Sequence, residues 1–386
     1  MTGISPILSD YRLRLPGPTS VPERVRAATS LPMLSHRGVE FRAILAETTS
    51  MLRSLIGTAQ DVFILGASGT GGMEAALANV LSTGDNLLVV ENGQFGERFA
   101  TIAETMPVTV DRLQIPWGET PDAQEIAARI TIKHYSAVVV VHNESATGAV
   151  ADLASIGHVL RDTDTIFVVD SVSGVGGIET RMDEWGIDVL VTASQKSLMC
   201  PPGLAIVAVS AKAFKMINKA NGIPRFYFDL RRAKASWDKG ETPFTPPATL
   251  VVGLREALAM INVEGLSAVF ARHARLSKAM NAGFEALGIQ SFPRSRLISP
   301  TVSVGIVPDG LDGSTIVQHM YTRYRTVIAG QRTKLANRVI RIGTMGSIAS
   351  SDILTDLFYL ECTFRDLGRA PLAGAGVSAA TRVLAS

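Results

Sequence analysis

The 386 residues carry 37 Lys and Arg against 35 Asp and Glu, and 46% of them are hydrophobic. A formal net charge of +2 gives no reason to expect a nucleic-acid or anionic-membrane partner, and the apolar content excludes disorder as the dominant state. No apolar run approaches the roughly 18 residues of a membrane-crossing helix, and the length predicts about two or three domains of about 150 residues.

In chain order, short runs rich in Val and Ile at 61–65, 86–90, 137–141, 165–169, 188–192 and 204–209 are separated by amphipathic segments of helical length, such as 71–81 and 123–130. Strands buried on both faces are apolar at consecutive positions, so the pattern predicts a central, largely parallel sheet covered by helices on both sides. Residues 221–247 break it with aromatics, prolines and basic side chains, as a surface loop or a connection between domains or subunits would. Helical periodicity resumes at 250–260 and 266–287, followed by candidate strands at 301–307 and 338–342 flanking a helix at 314–324, and a last helix at 352–367. The expected fold is therefore α/β, with an N-terminal extension over 1–15, a large domain over 16–264 and a smaller C-terminal α/β domain over 265–386. The Ala- and Gly-rich tail from 368 onward is expected to be loosely held.

Four segments can carry chemistry. The first is a strand running into Gly66-Ala67-Ser68-Gly69-Thr70-Gly71-Gly72, a small-residue turn that opens a helix, where free N–H groups and the helix dipole favour phosphate. It lacks the Lys-Ser or Lys-Thr of a Walker loop and only approximates a dinucleotide fingerprint, although the next strand ends in Glu91, where such a fold would bind ribose. The second is Ile166-Phe167-Val168-Val169-Asp170, which delivers a carboxylate to the C-terminal end of a buried strand; it suits Mg²⁺ or a protonated ring nitrogen. In the third, Lys196 follows another apolar strand, where partial burial would make its amine nucleophilic, and exposure would leave it an ordinary solvated lysine. The fourth is Arg338-Val339-Ile340-Arg341-Ile342, whose alternation turns Arg341 away from the apolar side, toward a substrate carboxylate or a rim salt bridge. Taken together, a phosphate cradle, a ring-nitrogen partner and a Schiff-base amine are the fixtures that pyridoxal phosphate requires.

With PGPT at 16–19, HRGVEF at 36–41, SGTGGMEAAL at 68–77, NGQFGER at 92–98, HNESATG at 142–148, SQKSLMCPPGL at 194–204, TPFTPP at 242–247 and RIGTMG at 341–346, the chain resembles the class V aminotransferases of the type I pyridoxal-phosphate fold, in their alanine-glyoxylate and serine-glyoxylate group. The resemblance implies a mostly parallel seven-stranded sheet, a smaller C-terminal domain and a homodimer with active sites at the subunit interface. It implies that Lys196 carries the cofactor and that Asp170 keeps the pyridine nitrogen protonated. Ser68, Gly69, Thr70 and Gln195 would bind the phosphate, with Thr245 reaching it from the neighbouring subunit. Phe95 would stack on one face of the ring and Val172 on the other, Ser145 would contact the ring hydroxyl, and Arg341 would bind the substrate carboxylate. Relatives often place a Tyr near the phosphate where this chain offers Thr242 and Phe244. The implied reaction moves an amino group from alanine or serine to glyoxylate or pyruvate by a ping-pong route, with pyridoxamine or aminoethylphosphonate as alternative donors to pyruvate on the same scaffold. A nicotinamide-dependent oxidoreductase is the reading from a different class; it uses the glycine turn and Glu91 and leaves Lys196, Asp170 and Arg341 unexplained. The opening MTGISPILSD lacks a secretory signal's basic start and long apolar stretch, and Cys200 and Cys362 have no disulfide or metal spacing, so a reducing cytoplasm is the expected compartment.

Overall fold

Residues 11–369 and 371–386 are described by the computed structural model. Seven strands form the main sheet: β1 (Asp61–Gly66), β2 (Asn86–Glu91), β3 (Thr109–Gln114), β4 (Ala137–Val141), β5 (Ile166–Asp170), β6 (Val189–Ala193) and β7 (Leu204–Val209). Their order is β1-β7-β6-β5-β4-β2-β3, and β7 alone runs antiparallel to its neighbours. The C-terminal ends of the six parallel strands therefore share one edge, where ligands of open α/β sheets collect. Six of these strands coincide with the apolar runs. The seventh, β3, reads TVDRLQ; it lies at the sheet margin, where charged side chains are tolerated, and so lacks the apolar signature.

Successive residues of the central strands enter opposite cores. Val138, Val140, Val169, Leu190 and Ile206 pack on one face of the sheet, and Val139, Val168, Val191 and Val207 on the other. A third cluster joins Leu276, Met280 and Phe284 of the helix Leu266–Ala286 to Ile340 and Ile342 and to the helix Ser350–Asp366. Beside it lies a small antiparallel sheet of β8 (Gln290–Ser291), β9 (Val302–Ile306) and β10 (Val339–Gly343).

Two features depart from expectation, and the N-terminal extension makes contacts that no sequence pattern announced. The tail forms a helix, Ala375–Ala385, packed on Leu266–Ala286. Its Ala and Gly residues make a close-packed seam, with Ala379 and Ala380 buried, and the buried Glu361 carboxylate accepts hydrogen bonds from the N–H groups of Gly374 (2.8 Å) and Gly376 (2.8 Å) at the helix start. Within 221–247, a helix at Leu230–Trp237 buries Leu230 and Ala233 and places Trp237 edge-on to Phe63 at 5.9 Å. In the N-terminal extension, whose residues 1–10 lie outside the described part, Arg12–Leu13 pairs with Thr326–Val327, and Arg14 meets the buried Asp356 at 2.5 Å.

Candidate active site

Lys196 stands in the turn after β6. Its amine is buried and donates to the Pro16 carbonyl oxygen at 2.5 Å; burial pushes its pKa down to about 8, against the opposing pull of Asp170. The segment covering it is fastened by Thr19, which donates its N–H to the Gln195 oxygen (3.0 Å) and its hydroxyl to the Lys196 oxygen (2.9 Å). Gly17 has φ +98°, and a Cβ there would lie 2.3 Å from Lys196 Cδ, so only glycine lets the strap lie this close.

Asp170 ends β5, in register with Val141 and Val191. One carboxylate oxygen accepts the Val172 N–H at 2.8 Å. Burial raises the carboxyl to about 6, while Lys196 and Arg98 pull it down, so the group is held in want of a positive partner.

The helix Gly69–Val80 begins at Ser68, whose hydroxyl accepts the Gly71 N–H at 3.3 Å. The first N–H groups of a helix have no partner inside it, so Gly69 and Thr70 offer donors at the sheet's C-terminal edge. Thr70 accepts a hydrogen bond from Arg98 Nη1 at 3.2 Å, and the same guanidinium lies 4.7 Å from the Phe95 ring centroid. Two helix starts are thus tied together by one cation. Gln195 has a buried amide oxygen with no hydrogen-bond partner, an orphan that a bound group would satisfy after an amide rotation.

Arg341 lies on β10 opposite Val304, with Ile340 and Ile342 turned into the apolar cluster as the alternation predicts. Its Nε and Nη2 donate to the Gly330 oxygen at 3.0 and 2.7 Å, and Nη1 to the Ser145 oxygen at 2.9 Å. Carbonyl oxygens fix the fork without neutralising it, which leaves the charge for an incoming anion.

A cavity of about 590 Å³ is lined by Lys196, Arg341, Phe95 and Ser145, with Gly17 and Gln331 among its other walls. Ser68, Gly69, Thr70, Asp170, Val172 and Gln195 are not in that wall. Of these, Thr70 is held by Arg98, whose guanidinium lies over the wall residue Phe95, and Asp170 and Lys196 influence each other electrostatically. Thr245 sits exposed on the loop before the helix Ala248–Glu264 and makes no described contact with the cavity, and the Thr242 hydroxyl is engaged with the Phe244 oxygen at 2.7 Å. Glu91, which motivated the nicotinamide reading, is bound to Arg112 at 2.5 Å and is not free for a ribose. Sequence reasoning missed Arg98, Glu144 and Pro16-Gly17 as site residues. Glu144 carried a signal, since it is a carboxylate placed just past a wholly apolar strand.

The class-V aminotransferase family model matches residues 23–343. The chain belongs to the class V aminotransferases. This aminotransferase is 38% identical over 379 residues to the soluble hydrogenase small subunit of a Synechococcus species, covering 97% of this chain and 98% of that protein. It is 36% identical to the L-aspartate–glyoxylate aminotransferase of Paracoccus denitrificans, over 98% of this chain and 96% of that one. The crystal structure of ureidoglycine-glyoxylate aminotransferase from Bacillus subtilis superposes with a TM-score of 0.94 at 30% identity, covering all of both chains. The family's cofactor is pyridoxal phosphate and its reaction is transamination. The buried amine, the raised carboxyl and the orphaned Gln195 oxygen fit that cofactor. Among the described residues no group of His, Cys, Asp and Glu could hold a metal ion, and no helix is long and apolar enough to cross a membrane.

Proposed function

We propose that the aminotransferase moves the amino group of a small amino acid, alanine or serine, to glyoxylate or pyruvate in two half-reactions. The observation carrying this reading is the placement of the Lys196 amine and the Arg341 fork on the walls of one cavity, beside the Phe95 ring. Bound pyridoxal phosphate supplies the electron sink for the charge left at the substrate α-carbon. Arg341 grips the α-carboxylate with its fork, and the freed Lys196 Nζ takes the α-proton and returns it. Burial serves that task, because an amine near pKa 8 is in part unprotonated at neutral pH.

Asp170 holds the proton on the ring nitrogen, a role supported by burial, which raises the carboxyl to about 6 and favours a cationic partner. Ser68, Gly69, Thr70 and Gln195 hold the phosphate, Phe95 and Val172 enclose the ring, and Ser145 meets its hydroxyl. Thr245 completes the phosphate site of a partner subunit, so the working form is a homodimer. Exposed aromatic side chains at Phe226 (65%) and Tyr227 (46%), close to the Thr245 loop through the stack of Tyr227 on Phe244, support a covered face there. The catalytic core spans 16–264 and a smaller unit follows from 265, in a cytoplasmic protein.

The test is the visible absorption of the holoenzyme on addition of alanine, serine or aspartate, with borohydride reduction and peptide mapping. Bleaching by alanine or serine and a reduced adduct on Lys196 are expected, and Lys196→Ala should lose turnover. Turnover retained in Lys196→Ala, or bleaching by neither small donor, would overturn the reading.

A further inference from the structure

Glu144 is wholly buried just beyond β4, and no cation lies within salt-bridge distance of it among the described residues. Its oxygens accept the N–H groups of Phe95 (2.8 Å) and Ala146 (3.0 Å), and the Gly96 N–H also points at it. It thereby caps the helix Gln94–Ala103, whose N-cap Gly93 has no side chain to do so; a Cβ on Gly93 would lie 2.2 Å from Glu144 Cγ. The next residue, Ser145, gives its carbonyl oxygen to Arg341. The carboxylate that holds Phe95 in place is therefore one residue from the anchor of the carboxylate-binding fork.

Four charged groups and one neutral histidine surround this spot. Asp170 repels the Glu144 charge, while Lys196 and Arg341 feel it as an attraction; Arg98 acts on Asp170 and Lys196 from the same helix that Glu144 caps. His142, two residues before, stays neutral and is engaged with Ser171 at 2.8 Å. Glu144 is the carboxylate whose field acts on Arg341, offsetting part of what burial takes from its charge. A substrate carboxylate on Arg341 screens that attraction and adds a like charge to the same neighbourhood, which favours the protonated acid.

We propose that Glu144 is a positioning residue that takes up a proton from solvent when a carboxylate docks on Arg341, making substrate binding proton-linked. The inference rests on the reading that Arg341 binds the α-carboxylate. With the proton on the oxygen that faces Ala146, neutral Glu144 still accepts the Phe95 N–H through its carbonyl oxygen, so the stacking ring stays in place while the Ala146 bond weakens and the charge is removed. Burial pushes the free carboxyl up to about 7, which places the linkage in the physiological range.

The probe is propionate, a carboxylate with no amino or keto group, titrated calorimetrically into holoenzyme at pH 7.5 in phosphate and in Tris. Their different ionisation enthalpies count the protons taken up, and visible absorption separately reads any proton gained at the Lys196-bound cofactor. The expected uptake beyond the cofactor's own is about half a proton per site, absent in Glu144→Gln. Visible circular dichroism of the bound cofactor in that variant should remain as in the parent. In the parent, propionate affinity should fall as pH rises above about 7, by about threefold per pH unit where half a proton is taken up. Propionate binding indifferent to Arg341→Gln would defeat the carboxylate reading and the proposal with it. Binding through Arg341 with no such uptake, with equal uptake in Glu144→Gln, or with a flat affinity from pH 6.5 to 9 would overturn the proposal alone.

Discussion

Replacing Gly17 by alanine separates the stability of the fold from the placement of its reactive amine. The new Cβ would fall 2.3 Å from Lys196 Cδ, 2.5 Å from Nζ and 2.7 Å from Cε. All three belong to the far end of a flexible side chain, so the overlap is relieved by moving the lysine, and the backbone cost is mainly that of a non-glycine residue at φ +98°, about 1–3 kcal/mol. Relief, however, breaks the 2.5 Å bond to the Pro16 oxygen and shifts Nζ by an ångström or more, a displacement that costs on the order of 10²-fold in rate when a reacting group is misplaced. The expected variant melts a few degrees lower, binds pyridoxal phosphate more weakly, and runs the alanine or serine half-reaction about a hundredfold more slowly. Thermal melting and stopped-flow bleaching of the cofactor band measure the two effects. A variant with the parent's melting point and half-reaction rate would show that the strap does not press on Lys196 and would refute the reasoning.

Arg341→Lys keeps the charge and loses the fork, so KM for the amino and keto acids should rise about 10–100-fold while the cofactor's absorption band stays in place; equal KM values would remove Arg341 from substrate binding. With its pKa lowered to about 8, Lys196 in the cofactor-free protein should be trapped by pyridoxal and borohydride at a rate that climbs with pH and levels off near 8, whereas exposed lysines continue rising toward 10.5; peptide mapping across pH 6–10 distinguishes them. His273 is buried, accepts the Gly346 N–H at 3.0 Å, and is pushed down from 6.5 to about 4. Between those values the unfolded chain binds the extra proton, so His273 contributes stability present above pH 6.5 and lost as pH falls toward 4, up to about 3 kcal/mol. His273→Gln should flatten the acid limb of the melting-temperature profile by that window; an unchanged limb would exclude it.

How far the sequence reveals the site depends on how each residue is placed. Asp170 was legible because it closes an apolar strand and Lys196 because it stands in the turn just past one, and strand ends of a parallel sheet converge. Arg341 was legible as a charge on one face of an alternating strand. Arg98 was not, since its role depends on two helix starts, at Gly69 and Gln94, that meet although the strands before them, β1 and β2, are not neighbours in the sheet. Gly17 lies 179 positions from Lys196 in the sequence, and no local pattern announces the meeting. Edge strand β3 escaped because charged Asp111 and Arg112 break its apolar pattern, and the Ala375–Ala385 helix because small residues that pack tightly read by composition like small residues that do not pack.

The strap at 12–19 also sets an order of events during synthesis. Its pairing partner, Thr326–Val327, and its buried anchor, Asp356, are made more than three hundred residues after it. The sheet that carries Asp170 and Lys196 can assemble once β7 has emerged, but the strap lacks its anchor over the lysine until Asp356 has left the ribosome. A segment made early is therefore among the last to find its place, and a nascent chain halted before Asp356 would hold an assembled sheet whose lysine still titrates as an open one.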